Sequence, residues 1–285
     1  MEPVDLCMGR ISYINASPVY YGLDHGMTPS WLTLVTDVPA ALNRQVSTGH
    51  IQISPISAVH YAVNHNDLLL LPDLSISCRG PVMSVLCAST VPLDALTGKI
   101  VMVSQESATA AAFLKMIFAE RGVDPVFVKG SVADIRRVPE QVDAVLVIGD
   151  AALTQPWHQR FSHCADLGKL WHDMTGMPFV FAVWVVRRDF AAAHPGTTAR
   201  ALDLLRESRK AGYAHLDAVI DAGTRKLGLA RTVVAQYYDR LYCDLDTPKR
   251  QAMARFFDAL HRQKILSAPV TMAFFDRGKK QEKPL

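Results

Sequence analysis

The sequence lacks the short motifs that identify most nucleotide-binding, metal-dependent and nucleophilic enzymes. It has no G-x-S-x-G nucleophile elbow, no phosphate-binding P-loop and no G-x-G-x-x-G dinucleotide fingerprint. Its 10 histidines show no metal-ligand spacing, and H-E-x-x-H does not occur. A covalent nucleophile, a bound nucleotide and a metal ion therefore have no support in the sequence, and we expect neither a cofactor nor a metal.

Long apolar runs and paired cysteines are also missing. No stretch reaches the ~18 uninterrupted apolar residues of a membrane-spanning helix, so we expect no membrane partner. The 5 cysteines are scattered and include no C-x-x-C pair, which is typical of free thiols in a reducing compartment. Residues 1–6 include two acidic side chains and no apolar core, so we expect no signal peptide and a cytoplasmic location.

Charge of neither sign is in large excess. The 285 residues carry 30 Lys and Arg against 27 Asp and Glu, which gives a formal net charge of +3. Nucleic-acid-binding proteins usually present a concentrated basic stripe, so we expect no nucleic-acid partner. Apolar residues make up 49% of the chain and charged residues 20%, which is enough for a packed core. The mild positive charge is compatible with a small anionic ligand.

The chain does show an alternation of strands and helices, which predicts an α/β fold with parallel strands. Residues 9–15 alternate between apolar and polar side chains as a strand does. Ile100–Val103 form an apolar strand that leads into a helix at 108–120, and Ala144–Ile148 form a buried strand. After Asp189 the pattern is helical as far as Gln263.

The order of these elements predicts two lobes. Apolar strands near 82–88 and 180–187 flank a strand–helix block at 90–178, as expected for a second lobe inserted into the first. In such proteins the ligand lies in the cleft between the lobes. We predict lobe 1 at 1–86 plus 187–285, lobe 2 at 87–186, and a hinge near 84–90 and 182–188.

The segment Leu68–Val85 carries more hydroxyl groups than a plain core needs. It starts as an apolar strand, breaks at Pro72, passes through Ser75 and Ser77, and turns before Ser84. Hydroxyl groups between buried strands need hydrogen-bond partners. The segment therefore predicts a strand edge that hydrogen-bonds a small polar ligand.

Open parallel sheets bind ligands beyond the carboxyl ends of their strands. Four segments place polar groups at such points: Asn15, Ser84, Ser107 with Thr109, and Asp150. The helix that begins near Ser107 presents free amides and a positive dipole end, which attract a carboxylate. Ser107 would also cap this helix, and the two roles are compatible.

Two roles stay open for each of three further side chains. Asn15 either binds ligand through its amide or stabilises the turn to Pro18. Asp150 either accepts a hydrogen bond from a ligand hydroxyl or caps the helix that follows it. Arg10 either pairs with a substrate carboxylate or is a solvated strand arginine.

Several motifs in a fixed order resemble the MqnA family, the chorismate dehydratases of the futalosine route to menaquinone. Their collinear order over residues 9–190 is more specific than any single motif. The motifs are Gly9-Arg10-Ile11-Ser12-Tyr13-Ile14-Asn15, Pro18-Val19-Tyr20-Tyr21-Gly22-Leu23, Ser54-Pro55-Ile56-Ser57, Leu70-Leu71-Pro72-Asp73-Leu74-Ser75-Ile76-Ser77, Gly80-Pro81-Val82, Ser84-Val85, Glu106-Ser107-Ala108-Thr109, Ile148-Gly149-Asp150 and the run from Thr175 to Trp184.

The resemblance implies a two-lobed periplasmic-binding-protein type II fold and a lyase that needs no cofactor. The implied reaction converts chorismate into 3-[(1-carboxyvinyl)oxy]benzoate and water. The implied catalytic residues are Asn15, Ser84 and Asp150, and the implied substrate-binding residues are Arg10, Ser57, Ser107, Ala108 and Thr109. The general base is either Asp150 or the enolpyruvyl carboxylate of the substrate itself.

Two other functions fit the same pattern. One is a binding protein or sensor that holds a small aromatic carboxylate without changing it. The other is the related 1,4-dihydroxy-6-naphthoate synthase, which acts later in the same pathway. The opening Gly9-Arg10-Ile11-Ser12-Tyr13 favours the dehydratase.

Overall fold

Two separate mixed β-sheets organise the chain in the computed structural model, which describes residues 4–104 and 108–278. The strands are β1 (Leu6–Ile11), β2 (Leu32–Asp37), β3 (Ile53–Ser57), β4 (Leu68–Cys78), β5 (Val85–Ser89), β6 (Ile100–Ser104), β7 (Val126–Gly130), β8 (Ala144–Ile148), β9 (His163–Asp166), β10 (Phe179–Arg187) and β11 (Leu241–Tyr242). The first sheet has the order β11-β4-β10-β3-β1-β2, and the second has the order β7-β6-β8-β5-β9.

The helices pack on these sheets. They are α1 (Ser17–Gly22), α2 (Pro39–Ser47), α3 (Ala58–Val63), α4 (Ala108–Glu120), α5 (Asp150–Thr154), α6 (Leu167–Thr175), α7 (Arg188–Ala193), α8 (Pro195–Ala214), α9 (Leu216–Leu227), α10 (Arg231–Asp239) and α11 (Thr247–Arg262). None of the described helices combines the length and the apolar character that crossing a membrane requires. The predicted strand–helix unit at 100–120 and the strand Ala144–Ile148 are confirmed.

The chain crosses between the sheets twice. It leaves the first sheet after Cys78 and enters the second at Val85, and it returns between Thr175 and Phe179. The whole of β10 therefore pairs with β3 and β4 in the first sheet, whereas the prediction assigned most of this strand to lobe 2. The apolar run of β10 identifies a buried strand, but it carries no information about which sheet receives that strand.

Pro72 does not end β4, contrary to the sequence prediction. The strand continues from Leu68 to Cys78, and its pairing with β10 shifts register between Val183 and Val185. Asp73, at this irregularity, has a φ of 69°. Since a bulge leaves one residue unpaired, it accommodates a proline that has no amide proton to give to the ladder.

The hydroxyl groups of β4 are used inside the first sheet rather than for a ligand. Ser77 donates a hydrogen bond to the carbonyl oxygen of Tyr242 at 3.1 Å, and Ser75 donates to the carbonyl oxygen of Asp244. Both serines are fully buried. They fasten the short edge strand β11 to β4, so this part of the predicted ligand edge has a structural role.

A cluster of aromatic rings joins the helices of the second sheet to the first sheet. Phe113 of α4 lies edge-on to Trp171 of α6, with 5.6 Å between ring centroids. Phe179 of β10 lies 5.0 Å from Phe256 of α11 and 4.9 Å from Phe113. All four rings are buried, so one apolar core spans both sheets near the chain crossings.

Candidate active site

A cavity lies between the two sheets, and small-molecule sites commonly occur where two such units meet. Segments from both sheets form its walls, including the turn after β1, the start of α3, the second half of the crossing into β5, and the start of α4. The lining residues are Ile11, Tyr13, Asn15, Pro39, Ser57, Ile76, Val82, Ser84, Val85, Thr109, Ala110, Ile148, Gly149, Phe181 and Ala182.

The cavity combines apolar walls with uncharged hydrogen-bonding groups. Asn15, Ser57, Ser84 and Thr109, all predicted from the sequence, lie together in this lining. Among the described lining residues there is no Asp, Glu, His, Lys or Arg. The described part of the site can therefore orient a ligand and exclude water, but it offers no carboxylate or imidazole for proton transfer.

Asn15 presents a buried acceptor that has no partner. It lies in a single 3₁₀ turn at Ile14–Ala16, rather than at the end of β1, which already stops at Ile11. Its Oδ1 is buried and receives no hydrogen bond from any described part of the chain. Because a buried carbonyl oxygen without a donor is costly, this atom is suited to a ligand that brings a hydrogen-bond donor.

Ser84 is almost completely buried, with 3% of its surface exposed. Its Oγ accepts a hydrogen bond from the Tyr237 hydroxyl of α10 at 3.0 Å. Its carbonyl oxygen accepts from the amide of Gly149 at 2.8 Å, which ties the crossing into β5 to the end of β8. Burial raises the pKa of Tyr237 above its ordinary value, so this phenol stays neutral and able to donate.

Asp166 fixes the backbone that carries Ser84. Its carboxylate accepts from the amide of Val82 at 3.0 Å and from that of Met83 at 2.7 Å. The same side chain caps α6 by accepting from the amide of Lys169 at 3.1 Å. Met83 has a φ of 66°, a left-handed conformation that a side chain rarely adopts, and the two hydrogen bonds around it stabilise that turn.

Ser57 and Thr109 bring two helix starts to one part of the cavity. Ser57 caps α3 by accepting from the amide of His60 at 3.1 Å. The Thr109 hydroxyl oxygen accepts from the amide of Val59 at 3.1 Å and so links α4 to α3. These two bonds already use the amides of Val59 and His60 in α3. The start of α4 is therefore the helix start whose dipole favours an anion here. This part of the cavity is suited to a carboxylate.

Asp150 lies beside the cavity and does not line it. Its Oδ1 accepts from the amide of Ile14 at 3.0 Å, and its Oδ2 lies 3.1 Å from Nζ of Lys226 in α9. It faces a neighbouring groove that includes Lys226 and Thr154. Asp150 opens α5 without a side-chain capping bond, so the cap expected from the sequence is replaced by contacts with the first-sheet unit. Its role in catalysis stays a prediction.

The other predicted substrate-binding residues are not brought to the cavity. The guanidinium of Arg10 binds both carboxylate oxygens of Asp24, one of them at 2.7 Å, and lies over the Tyr20 ring. Ala108 is exposed and is not part of the lining. Ser107 and Glu106 lie outside the described residues. The geometry therefore gives no support to Arg10 or Ala108 as ligands of the substrate.

Two tyrosines at this site were missed as functional candidates. Tyr13 packs against Gly149: a Cβ at Gly149 would lie 2.7 Å from the Tyr13 ring. Tyr13 stands within the motif 9–15, so its position was available from the sequence. Tyr237 stands in a helical segment without a motif, and its contact with Ser84 joins residues 153 apart in the chain.

Comparisons of the sequence with known proteins identify its relatives. A family profile described as menaquinone biosynthesis matches residues 6–262. A chorismate dehydratase of Thermus thermophilus is 31% identical over 275 residues, which cover 91% of this chain and 96% of that protein. A 1,4-dihydroxy-6-naphthoate synthase of the same organism is 28% identical and covers 85% of this chain and 89% of its own length.

Solved structures share the fold at low sequence identity. A protein of Archaeoglobus fulgidus matches with a TM-score of 0.75 at 19% identity, over 92% of this chain and 98% of that one. The alkanesulfonate-binding protein SsuA of Xanthomonas axonopodis matches with a TM-score of 0.68 at 15% identity, over 95% and 96% of the two chains. The predicted periplasmic-binding-protein-like α/β fold is therefore confirmed.

Proposed function

The chain belongs to the menaquinone biosynthesis family, and we propose that it is the lyase that dehydrates chorismate to 3-[(1-carboxyvinyl)oxy]benzoate. The observation that carries the proposal is the similarity to a chorismate dehydratase along nearly the whole of both chains. The cavity supports it independently, because it pairs apolar walls with uncharged hydrogen-bonding groups. The naphthoate synthase relative is less similar, and the opening motif at 9–15 also favours the dehydratase.

The reaction makes modest demands on the protein. Chorismate is a dianion that carries two carboxylates, one C4 hydroxyl and a cyclohexadiene ring. Loss of the C3 proton and the C4 hydroxyl makes the ring aromatic, so the reaction is strongly downhill. The departing proton and hydroxide together make one water molecule, so the protein does not have to supply or keep a proton. Its task is to bind the dianion, align the two bonds that break and exclude bulk water.

The site favours the substrate as its own base. The described lining contains no Asp, Glu or His, and both carboxylate oxygens of Asp150 are engaged by the amide of Ile14 and by Lys226. The enolpyruvyl group is joined to C3 through its ether oxygen, so its carboxylate can reach the proton on that carbon. We therefore assign proton removal to this carboxylate, with Asp150 as the alternative that mutation can test.

Asn15 matches the one hydrogen-bond donor that the substrate has. Chorismate with both carboxylates ionised donates only through its C4 hydroxyl. The Oδ1 of Asn15 is a buried acceptor with no partner in the described chain, so it fits that hydroxyl. Ser84, which lines the same cavity, supplies a hydroxyl that can donate to the same oxygen as it leaves. Together the two side chains would fix the orientation of the C4–O bond.

The start of α4, with Thr109 and Ala110, supports binding of a substrate carboxylate. α4 runs for 13 residues, so its N-terminal dipole is well developed. Ser57 and Thr109 add two hydroxyl groups that can donate to carboxylate oxygens. This arrangement would hold an anion without a lysine or arginine at the reacting ring.

The proposal includes a cytoplasmic location and a small-molecule partner rather than a nucleic acid. The five cysteines are free in the structure, which supports a reducing compartment. The net charge of +3 supports the absence of a nucleic-acid partner.

Incubation of the purified protein with chorismate tests the function. We expect the diene absorbance to disappear and mass spectrometry to show a benzoate product lighter by one water molecule. A heat-denatured sample and a protein-free sample serve as controls for spontaneous loss of chorismate. If chorismate binds in calorimetry and stays intact, the protein is a binding protein or sensor, and the proposal is wrong.

A further inference from the structure

Two neighbouring tyrosines of α10 reach the polar segments of the cavity. The Tyr237 hydroxyl donates to Ser84 Oγ at 3.0 Å. The Tyr238 hydroxyl donates to the carbonyl oxygen of Ile14, the residue before Asn15, at 2.9 Å. One turn of α10 therefore contacts both Ser84 and the backbone beside Asn15, the two residues proposed to contact the C4 oxygen.

The hydrogen bond between Tyr237 and Ser84 has a defined direction. Tyr237 is 1% exposed, and within the described chain its hydroxyl has Ser84 as its side-chain or backbone partner and no other. If Ser84 donated to Tyr237, the phenolic proton would be buried without an acceptor, which is costly. If Tyr237 donates, the Ser84 proton stays available to a ligand in the cavity that Ser84 lines. The second arrangement satisfies both hydroxyl groups once a ligand is bound.

We propose that Tyr237 is a positioning residue for the dehydration: its hydrogen bond to Ser84 directs the serine proton into the cavity, onto the oxygen that leaves C4. The inference rests on the proposed function. Hydrogen bonds in series polarise one another, so the serine is a stronger donor when Tyr237 donates to it. The leaving oxygen gains negative charge as the C4–O bond breaks. A hydrogen-bond donor that already points at this oxygen stabilises that charge most strongly in the transition state. Tyr237 and Ser84 keep their own protons throughout, because the water is made from the C3 proton and the C4 hydroxyl.

The backbone around Ser84 supports this role. Asp166 holds the amides of Val82 and Met83, and Gly149 donates to the Ser84 carbonyl, so the main chain of Ser84 is fixed on both sides. With the main chain fixed, the Ser84 hydroxyl group can still rotate. Tyr237 restricts that rotation.

The experiment is a double-mutant cycle with Tyr237→Phe, Ser84→Ala and the double variant, assayed for chorismate turnover. We expect Tyr237→Phe to lower kcat about tenfold and to change KM less than about twofold, since one hydrogen bond is lost in the transition state. In the Ser84→Ala background the same substitution should change kcat less than about twofold. Tyr213→Phe is the control and should leave kcat unchanged, because it removes a tyrosine hydroxyl that accepts from the amide of Cys243 at 3.2 Å and does not line the cavity.

Two results would overturn the inference. One is an unchanged kcat in Tyr237→Phe. The other is an equal loss in the wild-type and Ser84→Ala backgrounds, which would mean that Tyr237 supports the fold rather than Ser84. Melting temperatures of all variants separate loss of stability from loss of turnover.

Failure of the proposed function gives a different result. If the wild-type protein binds chorismate without converting it, the cycle is measured as the Kd for chorismate by calorimetry. Coupling between Tyr237 and Ser84 in Kd then supports the directed hydroxyl, and additive effects refute it. If chorismate does not bind at all, both proposals are wrong.

Discussion

Nζ of Lys226 lies 3.1 Å from Oδ2 of Asp150, and this ion pair joins α9 on the first sheet to α5 on the second. The amide of Ile14 reaches the other carboxylate oxygen from the first-sheet side. The acid that the sequence offered as a catalytic base is therefore held at the rim of the cavity by contacts between the two sheet units.

Substitution of Asp150 and of Lys226 tests whether Asp150 is a structural contact beside the cavity or the general base. We expect Asp150→Asn and Lys226→Met each to raise KM for chorismate by about two- to fivefold, because both remove the same partly exposed ion pair. Lys226→Met also removes a hydrogen bond to the carbonyl oxygen of Ser12, so its effect should be at least as large. Both variants should keep kcat within about tenfold of the wild type, a far smaller loss than removal of a general base produces. Steady-state kinetics measures both values. If Asp150→Asn abolishes turnover while chorismate still binds and Lys226→Met stays active, Asp150 is the base.

Activity should depend on the hydrogen-bond acceptor of Asn15 rather than on the volume of its side chain. We expect Asn15→Leu, which is of similar size and cannot accept a hydrogen bond, to lower kcat/KM by about 10- to 100-fold. Removing the unpaired buried oxygen should leave the melting temperature unchanged or higher, since that atom is a cost in the free protein. Kinetics and thermal unfolding of one preparation test both statements. Full activity of Asn15→Leu would contradict the assignment of the C4 hydroxyl to Asn15.

Gly149 is expected to tolerate no side chain. Its φ is 64°, and a Cβ would lie 2.7 Å from the Tyr13 ring across the cleft. Gly149→Ala should lower stability by about 1–3 kcal/mol, because residues with a side chain rarely adopt its backbone conformation (φ 64°, ψ −144°). It should also raise KM, because Tyr13 must move away from the cavity. Gly122→Ala is the matched control: its φ is 67°, and nothing lies within 4 Å of its Cβ position. It should lose less stability and leave KM unchanged, and an equal KM in both variants would refute the role of the Tyr13 contact.

His60 should make the protein less stable in mild acid. Burial in α3 lowers the pKa of this imidazole, and its Nε2 lies 3.2 Å from the Ser47 hydroxyl. The unfolded chain then binds a proton more readily than the folded protein, so stability falls as pH drops through the unfolded pKa of about 6.5. We expect the melting temperature of the wild type to fall between pH 7.5 and pH 5.5 on the order of a few degrees, and His60→Gln to lessen that fall. Identical pH profiles would refute the prediction.

The sequence predicted elements wherever local pattern decides the structure. The apolar run Ala144–Ile148 was predicted as a buried strand, because five consecutive apolar residues of this kind are stable only in the interior of a sheet. Pro72 misled the prediction, because the loss of one ladder bond was absorbed by a bulge against β10. Whether a strand breaks or bulges depends on its neighbour across the sheet, which local sequence does not specify.

The candidate site was predicted in part for the same reason. Asn15, Ser84 and Thr109 follow or precede regular elements, so the parallel-sheet rule places them near one edge, whereas Ser57 was implied by the family resemblance. Arg10 lies on a strand as predicted, but its guanidinium binds the carboxylate of Asp24 instead of reaching the cavity. Tyr237 contacts Ser84 across the fold, and no periodicity or spacing in one sequence specifies such a pairing.

The aromatic cluster of Phe113, Trp171, Phe179 and Phe256 determines how the two halves can part. Separating these rings would expose buried apolar surface to water, whereas water can replace the polar contacts of Asp150 at the rim. Opening is therefore expected to be a rotation about the ring cluster, with twisting of the two chain crossings beside it. The side of the cleft that carries the Asp150–Lys226 ion pair should move furthest. Chorismate would then enter, and water and product would leave, on the polar side of the molecule.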